Sequence, residues 1–170
     1  MKMLRHILAI LILPGTVLVP VPIMLWLATD AAYPFWTLGF PLLLVSFVAS
    51  IFCVAVGLTL MAKAISLFAT VGEGTLAPWD PTQRLVVRGP YRHVRNPMIS
   101  GVNFILLGES IGLGSWSIAF WFLAFFLTNV LYIRFVEEPG LVRRFGESYR
   151  EYRRNVPAWI PRRTPWNPPT

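Results

Sequence analysis

Apolar residues fall into four runs separated by short polar breaks, a pattern that predicts helices crossing a membrane rather than a soluble core. The first run, Ile7 to Ala28, contains no charged residue. At about 1.5 Å of rise per residue it is long enough for a hydrocarbon core of roughly 30 Å. Pro14, Pro20 and Pro22 interrupt it, which predicts a kinked or partly unwound outer end. A cleaved signal peptide is the alternative. The length of the run, its prolines and the lack of a small-x-small pattern before Asp30 weigh against it. The second run, Leu38 to Ala62, stays uncharged until Lys63 and continues apolar through Val71, predicting a helix that extends past the membrane. The third, Pro97 to Gly114, is short and carries Glu109, and the fourth, Trp116 to Ile133, ends against Arg134. Gly112-Leu113-Gly114-Ser115 joins these two and predicts a helical hairpin.

Two polar segments remain. The loop from Gly72 to Asn96 opens with turn signals, Gly72-Glu73-Gly74-Thr75 and Pro78-Trp79-Asp80-Pro81. It closes at Asn96-Pro97, which reads as an N-cap followed by proline at the first helical position. The free N–H groups of that helix start would suit a carboxylate or other anion. After Glu137-Glu138, Pro139 is expected to break or restart the helix. Leu141, Phe145, Tyr149, Tyr152 and Val156 then form one apolar face, with arginines and glutamates opposite. This amphipathic helix would lie on an anionic surface or cover the loop, and the proline-rich stretch from Pro157 to Thr170 reads as irregular.

Charge fixes the expected orientation. The chain has 170 residues, 55% of them hydrophobic and 14% charged, with a net charge of +7. With four spans and the N-terminus inside, the outer connections Asp30 to Thr37 and Gly112 to Ser115 contain no Lys or Arg. All 15 basic residues then lie on the cytoplasmic side or its edge, Lys2 and Arg5 among them. Trp26, Trp36 and Trp116 would mark the outer interface, Trp79 and Trp159 the inner one. Orientation in the membrane thus accounts for the basic excess, and no nucleic acid is expected. Cys53 is the one cysteine, so there is no intrachain disulfide and no cysteine cluster for a metal. The fold expected is all-α: an integral membrane bundle of about four transmembrane helices, the last two a hairpin, with a cytoplasmic loop and a C-terminal amphipathic helix. It forms a single domain over 1–170, with the first two spans in 1–71.

The run Gly89-Pro90-Tyr91-Arg92-His93-Val94-Arg95-Asn96-Pro97-Met98 resembles the central motif of the isoprenylcysteine carboxyl methyltransferase family, which includes phospholipid N-methyltransferase relatives. Glu137-Glu138, followed by Phe145-Gly146-Glu147-x-Tyr149-x-x-Tyr152 and Val156-Pro157, resembles its second motif in the right order. Gly72-Glu73-Gly74-Thr75 resembles a loop of bacterial members. The resemblance covers 72–161, the expected catalytic region. It implies an integral membrane methyltransferase using S-adenosylmethionine without metal, on a hydrophobic or lipid-like acceptor at the cytoplasmic face of a bacterial inner membrane, with both termini cytoplasmic. It implies cofactor contacts at Gln83, Arg84, Leu85, Val86, Tyr91, Asn96, Met98, Ile99 and Glu137, and Arg95, Pro97 and Glu138 complete the expected cofactor-binding set. Arg134 and Glu137 are the expected catalytic pair, although Arg134 stands three residues before the glutamate where some members have an arginine four before. The family often has His where this chain has Asn96 and Tyr where it has Ile99.

The residue types suit that cofactor, a zwitterion with an added sulfonium charge. Glu137 offers a carboxylate to its ammonium or hydroxyls, Arg95 and the helix start at Asn96 offer donors to its carboxylate, and Tyr91 and Leu85 offer surface to adenine. In-line methyl transfer asks mainly for alignment and exclusion of water. Simpler readings stay open: Glu137-Glu138 as solvated charges ending a helix, Arg84 to Arg95 as a positive-inside loop, Arg134 snorkelling, His93 as a polar loop residue, and Glu109 at the outer interface. Two other functions stay open too. One is a nicotinamide-dependent reductase of the sterol reductase type, whose known members are longer. The other is a non-enzymatic membrane assembly or transport-associated protein.

Overall fold

The computed structural model describes residues 8, 10–30, 39–73 and 81–168. Lys2, Arg5, Trp36, Trp79 and the Gly74-Thr75 turn lie outside the described residues. Helix α1 (Leu11–Thr29) is uneven, as its prolines dictate. Pro14 sits in a wide π-type turn, and the helical path breaks at Val19 (φ −120°, ψ −74°), directly before Pro20. A residue ahead of proline is pushed out of the α region by the proline ring, which explains why the break precedes Pro20. Helix α2 (Phe40–Thr70) runs unbroken for 31 residues. At about 46 Å it exceeds the hydrocarbon thickness, in line with the long second span expected.

Helices α3 (Pro97–Leu113) and α4 (Trp116–Tyr132) form the hairpin. Gly114 closes α3 in the left-handed conformation (φ 62°, ψ 30°), and the Ser115 hydroxyl caps α4 by accepting from the Ile118 amide at 3.2 Å. α3 and α4 are both 17 residues long, and α3 buries the most, including Pro97, Val102, Asn103, Ile105 and Leu106. α1, α2 and the continuous helix Trp116–Asn155 that begins with α4 each have the length and apolarity to cross a membrane, and α3 sits in the middle of the bundle.

Small residues bring α2 and α3 together. A Cβ on Gly57 would lie 2.5 Å from the Gly101 carbonyl oxygen, and one on Gly101 would lie 2.8 Å from that of Gly57. The Ser50 hydroxyl donates to the Gly108 carbonyl at 2.7 Å. Among lipid tails the hydrophobic effect does not drive helix against helix, so close backbone approach and hydrogen bonds such as these hold the pair. Met61, Val102, Ile105 and Leu106 form the adjoining core, against which Val17 and Leu18 of α1 and Trp121, Phe122 and Phe125 of α4 pack. The Trp121 indole donates to the Val17 carbonyl at 3.2 Å, fastening α1 to α4.

α4 does not break at Pro139. A π turn (Ile133–Glu137) leads straight into α5 (Glu138–Asn155), with Pro139 in its first turn. The wide π turn just before it loosens the hydrogen-bond ladder, so the missing N–H of the proline is accommodated there without ending the helix. The change of direction falls instead at Gly146 (φ 59°, ψ −130°), a conformation essentially reserved for glycine.

Candidate active site

The loop and the tail lie at one end of the bundle, where α2 ends, α3 begins and α4 gives way to α5. Leu85, Val86 and Val87 form an extended piece whose alternate side chains face opposite ways. Val86 joins Ala64 and Tyr91 against α2, while Leu85 and Val87 pack with the tail cluster of Tyr149, Tyr152 and Val156. The apolar face predicted for α5 is therefore the face that covers the loop. Gly89 starts a short 3-10 turn (Gly89–Arg92) that turns Tyr91 inward, its ring stacked on Phe68 at 5.4 Å.

The tail beyond α5 is irregular, as expected, but closely tied. Arg95 N–H donates to Pro157 O at 2.9 Å, Arg162 N–H to His93 O at 3.0 Å and Trp166 N–H to Arg92 O at 3.0 Å. His93 Nδ1 lies 2.9 Å from Arg162 O, and since the carbonyl can only accept, that nitrogen carries the proton. Asn96 departs from the expected N-cap: no side-chain bond caps α3. Its Nδ2 donates instead to Ala158 O at 3.2 Å. The tail has claimed the side chain, a long-range contact that outcompetes the local one.

Around this lacing the charged residues divide. Arg95 bonds Glu138, and Arg153 Nη1 stands 3.4 Å from the other Glu138 oxygen. The Arg95 and Glu138 side chains are only 12% and 11% exposed, so they form a buried pair across loop and helix. Among the described residues Glu137 has no such partner. It keeps an open face while protein crowds its other sides; that crowding first, and the Glu138 carboxylate second, push its carboxyl up from the usual range. The open face limits the effect. Tyr91 lies near enough to feel Glu137, and burial above all, then Tyr152 and Glu137, raise its hydroxyl well above the ordinary tyrosine value. Tyr91 therefore stays protonated, a donor.

The other residues singled out from the sequence spread around this centre. Pro97 is buried, and Met98 and Ile99 are half-buried in the first turn of α3, Met98 packing on the Val86 and Tyr91 cluster. Gln83 and Arg84 are exposed, with Arg84 3.0 Å from Glu73. Arg134 is exposed in the π turn that ends at Glu137. Tyr149 and Tyr152 were legible only as an apolar face. In the structure the Tyr152 hydroxyl donates to the Tyr91 carbonyl at 2.7 Å, and Tyr149 lies against Arg95. The general need of a buried tyrosine hydroxyl for a partner was the available signal.

Comparison with known proteins agrees with this layout. The profile of the family described as phospholipid methyltransferase matches residues 45–148, which include α3, α4 and the carboxylates at the start of α5. Protein-S-isoprenylcysteine O-methyltransferase of Schizosaccharomyces pombe is 30% identical over 137 residues, covering 73% of this chain and 56% of the relative. The chain thus spans little more than half the length of that relative. No solved structure matches. With most of its length matched, and with the matched helices carrying the loop and carboxylates just described, the chain belongs to the phospholipid methyltransferase family.

Proposed function

We propose that this protein transfers a methyl group from S-adenosylmethionine to a hydrophobic or lipid-like acceptor at the cytoplasmic face of the membrane. The observation that carries the reading is the separation of the two adjacent carboxylates. Glu138 is consumed by Arg95 and Arg153, whereas Glu137 stays open beside Tyr91 at the mouth of the bundle. Family membership supplies the class of reaction.

The site residues fit the cofactor. Glu137 is available to an ammonium or to ribose hydroxyls. Asn96 does not cap α3, so the Met98 and Ile99 amides of its first turn would be the backbone donors for a carboxylate. Leu85, Val86 and Tyr91 supply apolar and aromatic surface for a purine. When bound, the cofactor would supply an activated methyl on sulfur, a reaction that needs alignment and dryness above all. Arg95 and Glu138 then act as positioning residues, holding the loop on α5. Arg134, exposed at the same end, is placed to meet an anionic head group. The lopsided basic charge favours this end as the cytoplasmic one. The relative named above is an isoprenylcysteine O-methyltransferase and the family name refers to phospholipids, so both kinds of amphiphile are candidate acceptors.

The test is titration of detergent-purified protein with S-adenosylmethionine and its demethylated product, alongside Glu137→Ala and Asn96→Ala. Saturable binding that Glu137→Ala abolishes is expected. No binding to folded, lipid-supplemented protein would overturn the reading and return the assembly-protein alternative to first place.

A further inference from the structure

Among the described residues, two side-chain oxygens on α3 are buried without a hydrogen-bond partner: one belongs to Glu109, near the hairpin turn and away from the loop, and the other to Asn103. Asn103, on α3, is only 8% exposed. Its Nδ2 donates to the Ile99 carbonyl at 2.9 Å, one turn nearer the site. That carbonyl can only accept, so the amide cannot be turned around, and its oxygen is left buried with no hydrogen-bond partner. A buried carbonyl among apolar side chains, without a donor, is costly to keep. On α4, Asn129 Nδ2 likewise donates to the Phe125 carbonyl at 2.9 Å, but Asn129 is only half-buried and its oxygen is not buried as that of Asn103 is.

The two asparagines occupy comparable depths on the two arms of one hairpin. Asn103 lies six residues into α3 from Pro97, about 9 Å along the axis. Asn129 lies eight residues before Glu137, about 12 Å. Both are thus on the membrane side of the loop, Met98, Ile99 and Glu137, where an amphiphile entering from lipid would bring its head group toward an aqueous cofactor. Bonding the Asn103 amide N–H to its own helix leaves the carbonyl oxygen as unused acceptor capacity inside the bundle. No cation or carboxylate is needed to explain it; an N–H donor is.

We propose that the Asn103 carbonyl oxygen binds an N–H group on the head of the methyl acceptor. The ligand class is an amphiphile bearing an N–H on or beside the atom that is methylated, either an amine or an amide N–H beside a carboxylate. This rests on the methyltransferase reading and narrows it, making Asn103 a specificity-determining residue rather than a cofactor contact.

Two matched pairs of ligands test it by direct binding to the detergent-purified protein. N-acetyl-S-farnesylcysteine carries the amide N–H that S-farnesyl-3-mercaptopropionate lacks. A short-chain phosphatidylethanolamine carries the N–H groups that the matching phosphatidylcholine lacks. In one of the pairs the N–H member should bind about tenfold more tightly, the scale of one net buried hydrogen bond. The pair that discriminates identifies the source of the N–H. Asn103→Leu, which has the same branching but is larger and wholly apolar, should erase the preference, and the smaller Asn103→Ala should do the same should leucine overpack the core, with melting curves confirming a folded protein. Equal binding within both pairs, binding of none of the four, or a preference that survives either replacement would overturn the proposal. S-adenosylmethionine binding is measured separately on the same samples, so loss of the cofactor reading and loss of this one are distinguishable.

Discussion

Tyr152 donates its hydroxyl to the carbonyl oxygen of Tyr91 at 2.7 Å, across 61 positions of sequence, and both residues are buried. The bond joins the tail helix to the 3-10 turn of the loop. Tyr152→Phe keeps the ring and its packing against Trp166 but leaves the Tyr91 carbonyl without that donor. The expected loss of stability is about 1–3 kcal/mol. It should appear as a lower melting temperature in detergent and as faster proteolysis of the tail.

Glu137 and Glu138 should fail in different ways. Glu138→Gln removes the charge that Arg95 and Arg153 share, leaving the Arg95 guanidinium buried without its counter-ion. Breaking a buried pair from one side costs about 3–5 kcal/mol, so this variant should be poorly folded or markedly less stable. Glu137→Gln removes an exposed carboxylate that is not ion-paired and should leave the melting temperature close to wild type, while cofactor binding falls at least tenfold. Parallel melting curves and S-adenosylmethionine titrations separate the two. Similar loss of stability in both variants would deny Glu137 its distinct role.

Cofactor affinity should depend on pH through Glu137. Its carboxyl is raised, by crowding first and Glu138 second, so it takes up a proton at a higher pH than an ordinary glutamate does. The ionised form is the one that would bind an ammonium. Affinity should therefore be full well above the raised pKa and fall as pH drops through it, with the midpoint above the usual glutamate range. Glu137→Gln, already neutral, should flatten that step. A step that persists in the variant would belong to another group.

Local chemistry was readable from the sequence, and long-range choices were not. The α3–α4 hairpin follows from Gly114 and Ser115, whose turn and cap act within a few residues. The α5 face follows from apolar spacing, and it survives the bend at Gly146 because the kink redirects the helix without removing Tyr149, Tyr152 or Val156 from the cluster. Asn96 looked like a cap because its neighbours allow one. The competing carbonyl belongs to Ala158, 62 positions away. Glu137 and Glu138 were indistinguishable as adjacent letters, and it is the π turn before them that turns Glu138 toward Arg95. The motifs were read as one site, and the structure does bring Tyr91, Arg95, Glu137 and Glu138 together.

The glycines of the membrane helices show the same limit, and they supply the last prediction. Nothing in a single apolar run says whether a glycine faces lipid or a neighbouring helix. Gly57 faces α3 so closely that a Cβ would meet the Gly101 carbonyl oxygen at 2.5 Å and the Ile105 amide nitrogen at 3.0 Å. Backbone atoms cannot swing aside as a side-chain end can, so Gly57→Ala must push α2 and α3 apart. Overpacking of this kind costs about 1–3 kcal/mol, more than the roughly 1 kcal/mol that alanine gains over glycine in a helix. Gly140, inside α5 and with nothing within 4 Å of its Cβ position, is the control. Gly57→Ala should lower the melting temperature in detergent while Gly140→Ala leaves it near or above wild type. A Gly57→Ala protein as stable as wild type would mean that the helices are not held by backbone contact at this seam.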